Sequence, residues 1–179
     1  MNIMQQWLVW IKRISHCRGF GIQNPDDYFF VRYVVNEKWP YHAYEQLPPD
    51  NDRLTVKLGR FYLRLANYLQ PAYIADLVGM GAFFKAGCHK ASILSTIASK
   101  PATESDNAIV VVNAQDFDNT ILNCCSANTV LVVHQLWKQK ELWEALTARK
   151  EVTTSFNLYY CGVFFFRHRL SRQHYIVNF

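Results

Sequence analysis

The residues best placed to do chemistry form a short turn that contains one acidic residue and two glycines. Asp76 lies in an apolar run that spans residues 73–78, and Gly79 and Gly81 follow this run. A glycine after a strand lets the backbone turn sharply or approach a ligand closely, because it has no Cβ to clash. The pattern predicts either a ligand-binding loop or a tight strand-to-helix turn that holds no ligand.

Two further apolar runs end in polar side chains. The Val-rich runs 108–113 and 129–134 end in Asn113 and His134. The Asn113 amide can donate and accept hydrogen bonds but carries no charge. A single histidine at the end of an apolar run is more often structural than a ligand. The sequence contains neither a Gly-x-Ser-x-Gly elbow nor a His-Glu-x-x-His pair, so no catalytic residue and no metal site is assigned.

Hydrophobic periodicity places these turns in an α/β domain. Asp52 can cap a helix that runs to about Gln70. Short apolar runs then alternate with helical segments up to residue 150, whereas 152–166 and 173–179 alternate as antiparallel strands near a sheet edge do. This order predicts a doubly wound, mostly parallel sheet with antiparallel C-terminal strands. The apolar face of the long helix comprises Leu54, Leu58, Phe61, Leu65 and Leu69, with Arg53, Lys57, Arg60 and Arg64 off that face.

The first 50 residues are predicted to form a helical extension, and residues 51–179 the α/β domain. Apolar residues from Ile3 to Ile14, including Trp7, recur at helical spacing, which favours a helix packed on its own domain or on a partner. Asn24 and Pro25 are typical of the start of a second helix.

Composition narrows the class of protein. Half of the 179 residues are hydrophobic, and 19 Lys and Arg against 14 Asp and Glu give a net charge of +5. The basic residues are scattered and no nucleic-acid-binding motif occurs, so we expect no nucleic-acid partner. The five cysteines form no CxxC pair and no run is long enough to span a bilayer, which favours a cytoplasmic protein with reduced thiols.

Four stretches together resemble a known family. Residues 19–25 read GFGIQNP, 39–45 read WPYHAYE and 64–71 read RLANYLQP. The segments 152–167 and 173–179 complete a C-terminal pattern of aromatic residues. In this order the stretches resemble small bacterial methyltransferase-like proteins that depend on S-adenosylmethionine.

The resemblance implies a methyltransferase-like, Rossmann-like sheet and a cofactor site beyond the carboxyl ends of its central strands. The cofactor would be S-adenosylmethionine if the protein is active. Its binding residues would be Asp76, Gly79 and Gly81 after the first strand and Asn113 at the strand-four position.

This sequence departs from the family pattern at several points. Val78 replaces a glycine, Asn113 replaces an acid, and His134 with Gln135 replaces paired acids. The acid that would bind the ribose is missing near residues 97–99, and Glu104 and Asp106 come several residues later. Only 37 positions separate Asp76 from Asn113, where a complete fold needs roughly 60, so about one strand–helix unit is predicted to be missing.

Two functions therefore remain open. The favoured one is a degenerate, non-catalytic protein with an interaction or scaffold role, in which aromatic residues of 156–166 and the N-terminal helix form contact surfaces. Homo-oligomers would then form through the C-terminal strands or through that helix. The alternative is an active methyltransferase whose substrate is unknown. Residues around Asn113, His134 and Trp137 would orient that substrate.

Overall fold

A seven-stranded sheet forms the centre of the computed structural model, which describes residues 3–47, 52–96, 107–169 and 171–179. The strands lie in the order β2-β1-β3-β4-β6-β5-β7. Their bounds are β1 Tyr73–Asp76, β2 Ser92–Leu94, β3 Ala108–Asn113, β4 Thr129–His134, β5 Thr154–Asn157, β6 Cys161–Phe165 and β7 Gln173–Ile176.

Strand direction is nearly uniform across this sheet. β1 pairs in parallel with β2 and β3, and β3 pairs in parallel with β4. β6 runs antiparallel to both β4 and β5, and β7 pairs in parallel with β5. Among the described strands only β6 is reversed. The predicted α/β class with a mostly parallel sheet is therefore confirmed, and the arrangement is compatible with a Rossmann-like fold.

Helices cover both faces of the sheet. They are α1 Ile3–Lys12, α2 Pro25–Phe30 (continued by a π-helical turn at Val31–Val35), α3 Arg53–Leu69, α4 Gly81–Gly87 and α5 Lys140–Ala148. On β3 and β4, Val111 and Val132 pack with α2, α3 and α4, whereas Val110 and Val133 pack with α5 on the opposite face. Burial on both faces explains why these two strands are continuous Val-rich runs.

α3 forms as the sequence predicts. The Asp52 side chain accepts hydrogen bonds from the backbone N–H groups of Leu54 and Thr55, which would otherwise lack partners at the start of the helix. Gln70 ends the helix in the left-handed conformation, with φ of 46°. The expectation that Arg64 lies off the buried face is wrong, because its side chain is buried.

The C-terminal strands correct a second expectation. The aromatic segment 156–166 is not a bare sheet edge, because β5 and β6 lie between β4 and β7. Phe156, Tyr160, Phe164 and Phe165 are all buried. β7 is the edge strand on this side, and it runs parallel to β5 rather than antiparallel as predicted. Alternation alone does not reveal that a hairpin inserts its second strand next to β4.

The N-terminal helix turns its apolar residues outward. Trp7 is 62% exposed and Ile11 is 55% exposed, whereas Val9 and Arg13 face the domain. Arg13 fixes the end of this arm by donating hydrogen bonds to the Asn157 carbonyl and side-chain oxygens. The boundary predicted after residue 50 lies outside the described residues. In the structure the main core also includes Phe30, Val31, Val34 and Val35 of the N-terminal segment.

The region between β1 and β3 is short. Its described residues form one helix, α4, and one short strand, β2, which lies at the sheet edge. Residues 97–106 lie outside the described part of the chain. The predicted loss of one strand–helix unit stays a prediction.

Candidate functional site

The turn between β1 and α4 is where the sequence places the cofactor loop. Asp76 is the last residue of β1, and Gly81 is the first residue of α4. The Asp76 Oδ1 atom accepts a hydrogen bond from the backbone N–H of Val78 at 3.1 Å. Gly79 has a φ of +78°, a conformation that residues with a Cβ rarely adopt. This part of the turn is therefore held by Asp76 and by the freedom of Gly79.

Gly81 allows a close approach within the protein itself. A Cβ at this position would lie 3.0 Å from Asp76 Oδ2 and 3.0 Å from Cγ2 of Ile93 in β2. Gly81 is buried, so its missing side chain leaves room for the Asp76 carboxylate and for the edge strand. Both glycines thus have a structural role that requires no ligand. The loop closes on its own acidic residue.

Asn113 also makes a local contact. It ends β3, and its side-chain amide donates a hydrogen bond to Asp116 Oδ2 at 3.0 Å. In the pairing of β1 with β3, Asp76 lies opposite Val111, so Asn113 is two residues further along its strand. The sheet therefore brings Asp76 and Asn113 to the same carboxyl edge, as the sequence predicts for parallel strands. Asn113 contributes no charge there.

A buried polar cluster that the sequence did not predict lies at the end of β4. The hydroxyl of Tyr62 in α3 lies 2.7 Å from Nδ1 of His134, and Cys161 of β6 faces His134 across the strand pair. Phe84 stacks on the Tyr62 ring, with centroids 4.7 Å apart. Tyr62 occupies the apolar face of α3 one turn after Leu58, a position that a periodicity argument assigns to the core. Only the tertiary packing reveals its partner.

Burial determines the protonation of this cluster. Desolvation, helped by the charge of Lys138 and opposed by Asp76, lowers the pKa of His134 to about 4. Desolvation also raises the pKa of Cys161 to about 12, although a hydrogen bond with Tyr62 and the charge of Lys57 oppose the shift. At neutral pH the imidazole is uncharged and the thiol is protonated. The pair therefore lacks the thiolate that a cysteine nucleophile requires.

Trp137, which could orient a substrate in the catalytic alternative, packs against other aromatic residues. Its ring lies parallel to that of Tyr159, with centroids 6.5 Å apart, and meets the Tyr160 ring edge-on at 5.8 Å. These contacts position Trp137 as part of the packing next to β6. The structure therefore brings Asn113 and His134 to one sheet edge, with Trp137 packed beside them.

The cavities lie elsewhere. Five cavities between described residues have volumes of about 260–680 Å³, and none of these five is lined by Asp76, Gly79, Gly81 or Asn113. The largest lies between α1, α3 and the C-terminal residues. Residues 97–99, where the resemblance predicts an acid that binds the ribose, lie outside the described residues, as do Glu104 and Asp106.

The described part of the chain offers neither a metal cluster nor a membrane-spanning helix. The described residues contain no group of three His, Cys, Asp or Glu side chains that could hold a metal ion. None of the helices described is long and apolar enough to cross a membrane.

Comparison of the chain with family models, curated proteins and solved structures gave no match.

Proposed function

We propose that this chain is a degenerate methyltransferase-fold protein that acts through its binding surfaces and not by methyl transfer. The observation that carries the proposal is the closure of the β1–α4 turn. Asp76 binds a backbone N–H of its own loop, and its carboxylate together with Ile93 occupies the space next to Gly81. A cofactor that approached this turn would have to displace those contacts.

The strand ends around the turn support the same proposal. Asn113 is neutral and binds Asp116, while burial and the charge of Lys138 lower the pKa of His134 and keep it uncharged. A cationic cofactor gains little from neutral groups, because the attraction between charges is the main contribution that acidic strand ends would make.

An active S-adenosylmethionine-dependent methyltransferase is the alternative. Gly79 favours it, because this residue is exposed at the carboxyl end of β1 and a Cβ there would meet nothing within 4 Å. The space above Gly79 could admit a ligand, although Asp76 would have to release Val78 to bind its amino group.

Calorimetry with S-adenosylmethionine separates the two functions. The proposal predicts no saturable heat with the full chain at ligand concentrations up to about 1 mM. Binding in the micromolar range would overturn it, provided that Gly81→Val abolishes the heat and retains the far-UV circular dichroism of the wild type. S-adenosylhomocysteine, which lacks the sulfonium charge, serves as the matched ligand control.

The outward face of α1 supports an interaction role. Met4, Trp7, Leu8 and Ile11 lie along one side of the helix and are all exposed. A contiguous exposed apolar face marks a protein or membrane contact in most soluble proteins. We assign this face to a second copy of the chain, which would bury both apolar stripes against each other.

Light scattering coupled to size exclusion tests this assignment. The wild type should elute as a dimer or larger oligomer, and the double variant Met4→Glu, Ile11→Glu as a monomer. Phe20→Glu is the matched control, because Phe20 is 85% exposed outside α1. A monomeric wild type, or an oligomer that survives the double change, would rule out α1 as the interface.

A further inference from the structure

The largest of the five cavities is independent of the β1–α4 turn. It has a volume of about 680 Å³ and lies between α1, residues 35–39, one face of α3 and residues 178–179. We refer to it as the cationic groove. Its size falls within the range of pockets that enclose a small organic ligand.

The side chains that line the groove carry a large excess of positive charge. α3 contributes Arg53, Lys57, Arg60 and Arg64, whose spacings of four, three and four residues place them on one face of the helix. Lys38 adds a fifth cationic side chain.

Glu37 is the one acidic side chain among the residues that line the groove. Its Oε1 atom accepts hydrogen bonds from the backbone N–H groups of Lys38 at 2.6 Å and Trp39 at 2.9 Å. These bonds hold the Glu37 carboxylate in its own turn, and its single negative charge offsets only one of the five cationic side chains, so the groove keeps an excess of positive charge.

Two donors in the groove lack suitable partners. Lys57 pairs with no carboxylate of the described residues; its Nζ lies 4.4 Å from the centre of the Phe179 ring. Burial lowers the pKa of Lys57 to about 8, which reflects the cost of a charge removed from water. The side-chain amide nitrogen of Asn36 is buried without a hydrogen-bond partner. An anion in the groove would supply the missing counter-charge for Lys57.

The groove also offers flat aromatic surfaces. Trp39 is 72% exposed and Trp10 is 41% exposed, and both line the groove. Trp10 meets Trp7 edge-on at 6.4 Å, so these two rings do not stack on each other. Nucleic-acid bases stack on such rings without regard to their sequence, since every base has a flat π-face.

We propose that the cationic groove binds a small phosphate-bearing ligand with a flat ring, of the nucleoside monophosphate class. The phosphate would contact Lys57 and Arg60, and the ring would stack on Trp39 or Trp10. Arg64 is committed elsewhere, because it donates to the carbonyls of Val34 and Val35 and to the Tyr44 hydroxyl. A concave cavity with its charge on one helix fits a small ligand better than an extended strand.

Titration of the full chain with three probes tests the two halves of this ligand. AMP should bind with saturable heat and quench tryptophan fluorescence. Adenosine and inorganic phosphate should each bind at least about tenfold more weakly, because each lacks one of the two contacts. Phosphate binding as tight as that of AMP, or adenosine binding as tight as that of AMP, would overturn the proposed ligand class.

Charge reversal locates the site. Arg60→Glu should weaken AMP binding at least about tenfold, since it replaces an exposed cation of the groove with an anion. Lys150→Glu is the matched control, because Lys150 is exposed in the turn after α5 and lies outside the groove. Equal loss in both variants would show only a dependence on net charge and would contradict the site.

Aromatic removal and a competing partner complete the test. Trp39→Leu should reduce fluorescence quenching by AMP while heat with inorganic phosphate is unchanged.

Single-stranded RNA that binds more than about tenfold tighter than AMP, with the same sensitivity to Arg60→Glu, would assign the groove to a macromolecule and overturn the small-ligand proposal. Because Asp76 and Gly81 do not line the groove, Gly81→Val should leave AMP binding intact. Failure here is thus distinguishable from failure of the proposed function.

Discussion

The β1–α4 turn and the cationic groove are opposite kinds of surface. The turn has the recognisable motif, an acidic residue with two glycines, and its polar groups are satisfied within the protein. The groove has no recognisable sequence motif. It nevertheless contains the Asn36 amide, which is buried without an acceptor among the described residues, and the Lys57 ammonium, which is buried without a carboxylate among them.

The difference between these two surfaces shows that a motif and a site are separate properties. A motif constrains the backbone, and Gly79 and Gly81 do that whether or not a ligand binds. A site needs space and unsatisfied groups, which arise where several elements meet. Accordingly we expect changes in the turn to affect stability more than binding, and changes at the rim of the groove to do the reverse.

The largest expected effect is at the base of the groove. Arg64→Met should lower the free energy of unfolding by about 3 to 4 kcal/mol, because the carbonyls of Val34 and Val35 and the Tyr44 hydroxyl lose a buried charged donor. Arg60→Met on the same helix is the control and should cost less than about 0.5 kcal/mol, since Arg60 is exposed. Urea denaturation measures both. Similar losses of stability in the two variants would contradict the division between Arg64 at the base of the groove and Arg60 at its rim.

Acid should destabilise the protein through the buried cluster of Tyr62, His134 and Cys161. His134 has a pKa of about 4 when folded and 6.5 as the reference for the unfolded chain. Between these values the unfolded state binds a proton that the folded state does not, so stability falls as the pH drops from 6.5 to 4. The loss should reach about 2 to 3 kcal/mol.

Urea denaturation at several pH values tests the role of His134. His134→Gln keeps an acceptor for Tyr62 and should reduce the change of unfolding free energy with pH between pH 6.5 and 4. His89→Gln changes an exposed histidine and should leave the slope as in the wild type. An unchanged slope in His134→Gln would show that other groups cause the acid sensitivity.

Gly81→Val should lower the free energy of unfolding by about 2 kcal/mol, because the new side chain would press on Asp76 and Ile93 in a buried position. Gly79→Ala should cost about 1 kcal/mol for a different reason, the positive φ, since nothing lies within 4 Å of the new methyl group. Thermal or urea denaturation gives both values. AMP binding that weakened in either variant would undo the separation between turn and groove.

The smallest effect is expected for Asp76→Asn. Its side-chain oxygen still accepts the hydrogen bond from the Val78 N–H, so the loss should stay below about 1 kcal/mol. Calorimetry with S-adenosylmethionine should be unaltered from the wild type. A new or lost heat of binding in this variant would indicate that the turn does hold a ligand.

Much of the fold follows from local sequence patterns. The caps at Asn24 and Asp52 and the Val-rich runs of β3 and β4 appear where they were predicted, because each depends on neighbouring residues. α5 occupies Lys140–Ala148, with Leu142 and Leu146 buried, and falls within the predicted alternation of strands and helices up to residue 150.

The exceptions involve contacts between residues far apart in the chain. Arg64 was expected at the surface because helical spacing places a charge away from an apolar stripe. The structure buries it, since the carbonyls at the end of the π-helical turn provide acceptors from a segment 29 and 30 residues earlier. The position of β6 inside the sheet was missed for a similar reason, because strand order is set by pairing and not by alternation.

The sequence by itself determined which segments form helices and strands, where the long helix begins, and that an acidic glycine turn follows β1. These properties depend on side-chain spacing and on hydrogen bonds within a few residues. Only the tertiary structure decided that the turn is closed and that a cationic groove is open. Both outcomes depend on which distant groups supply hydrogen-bond partners and counter-charges, and burial makes a missing partner costly.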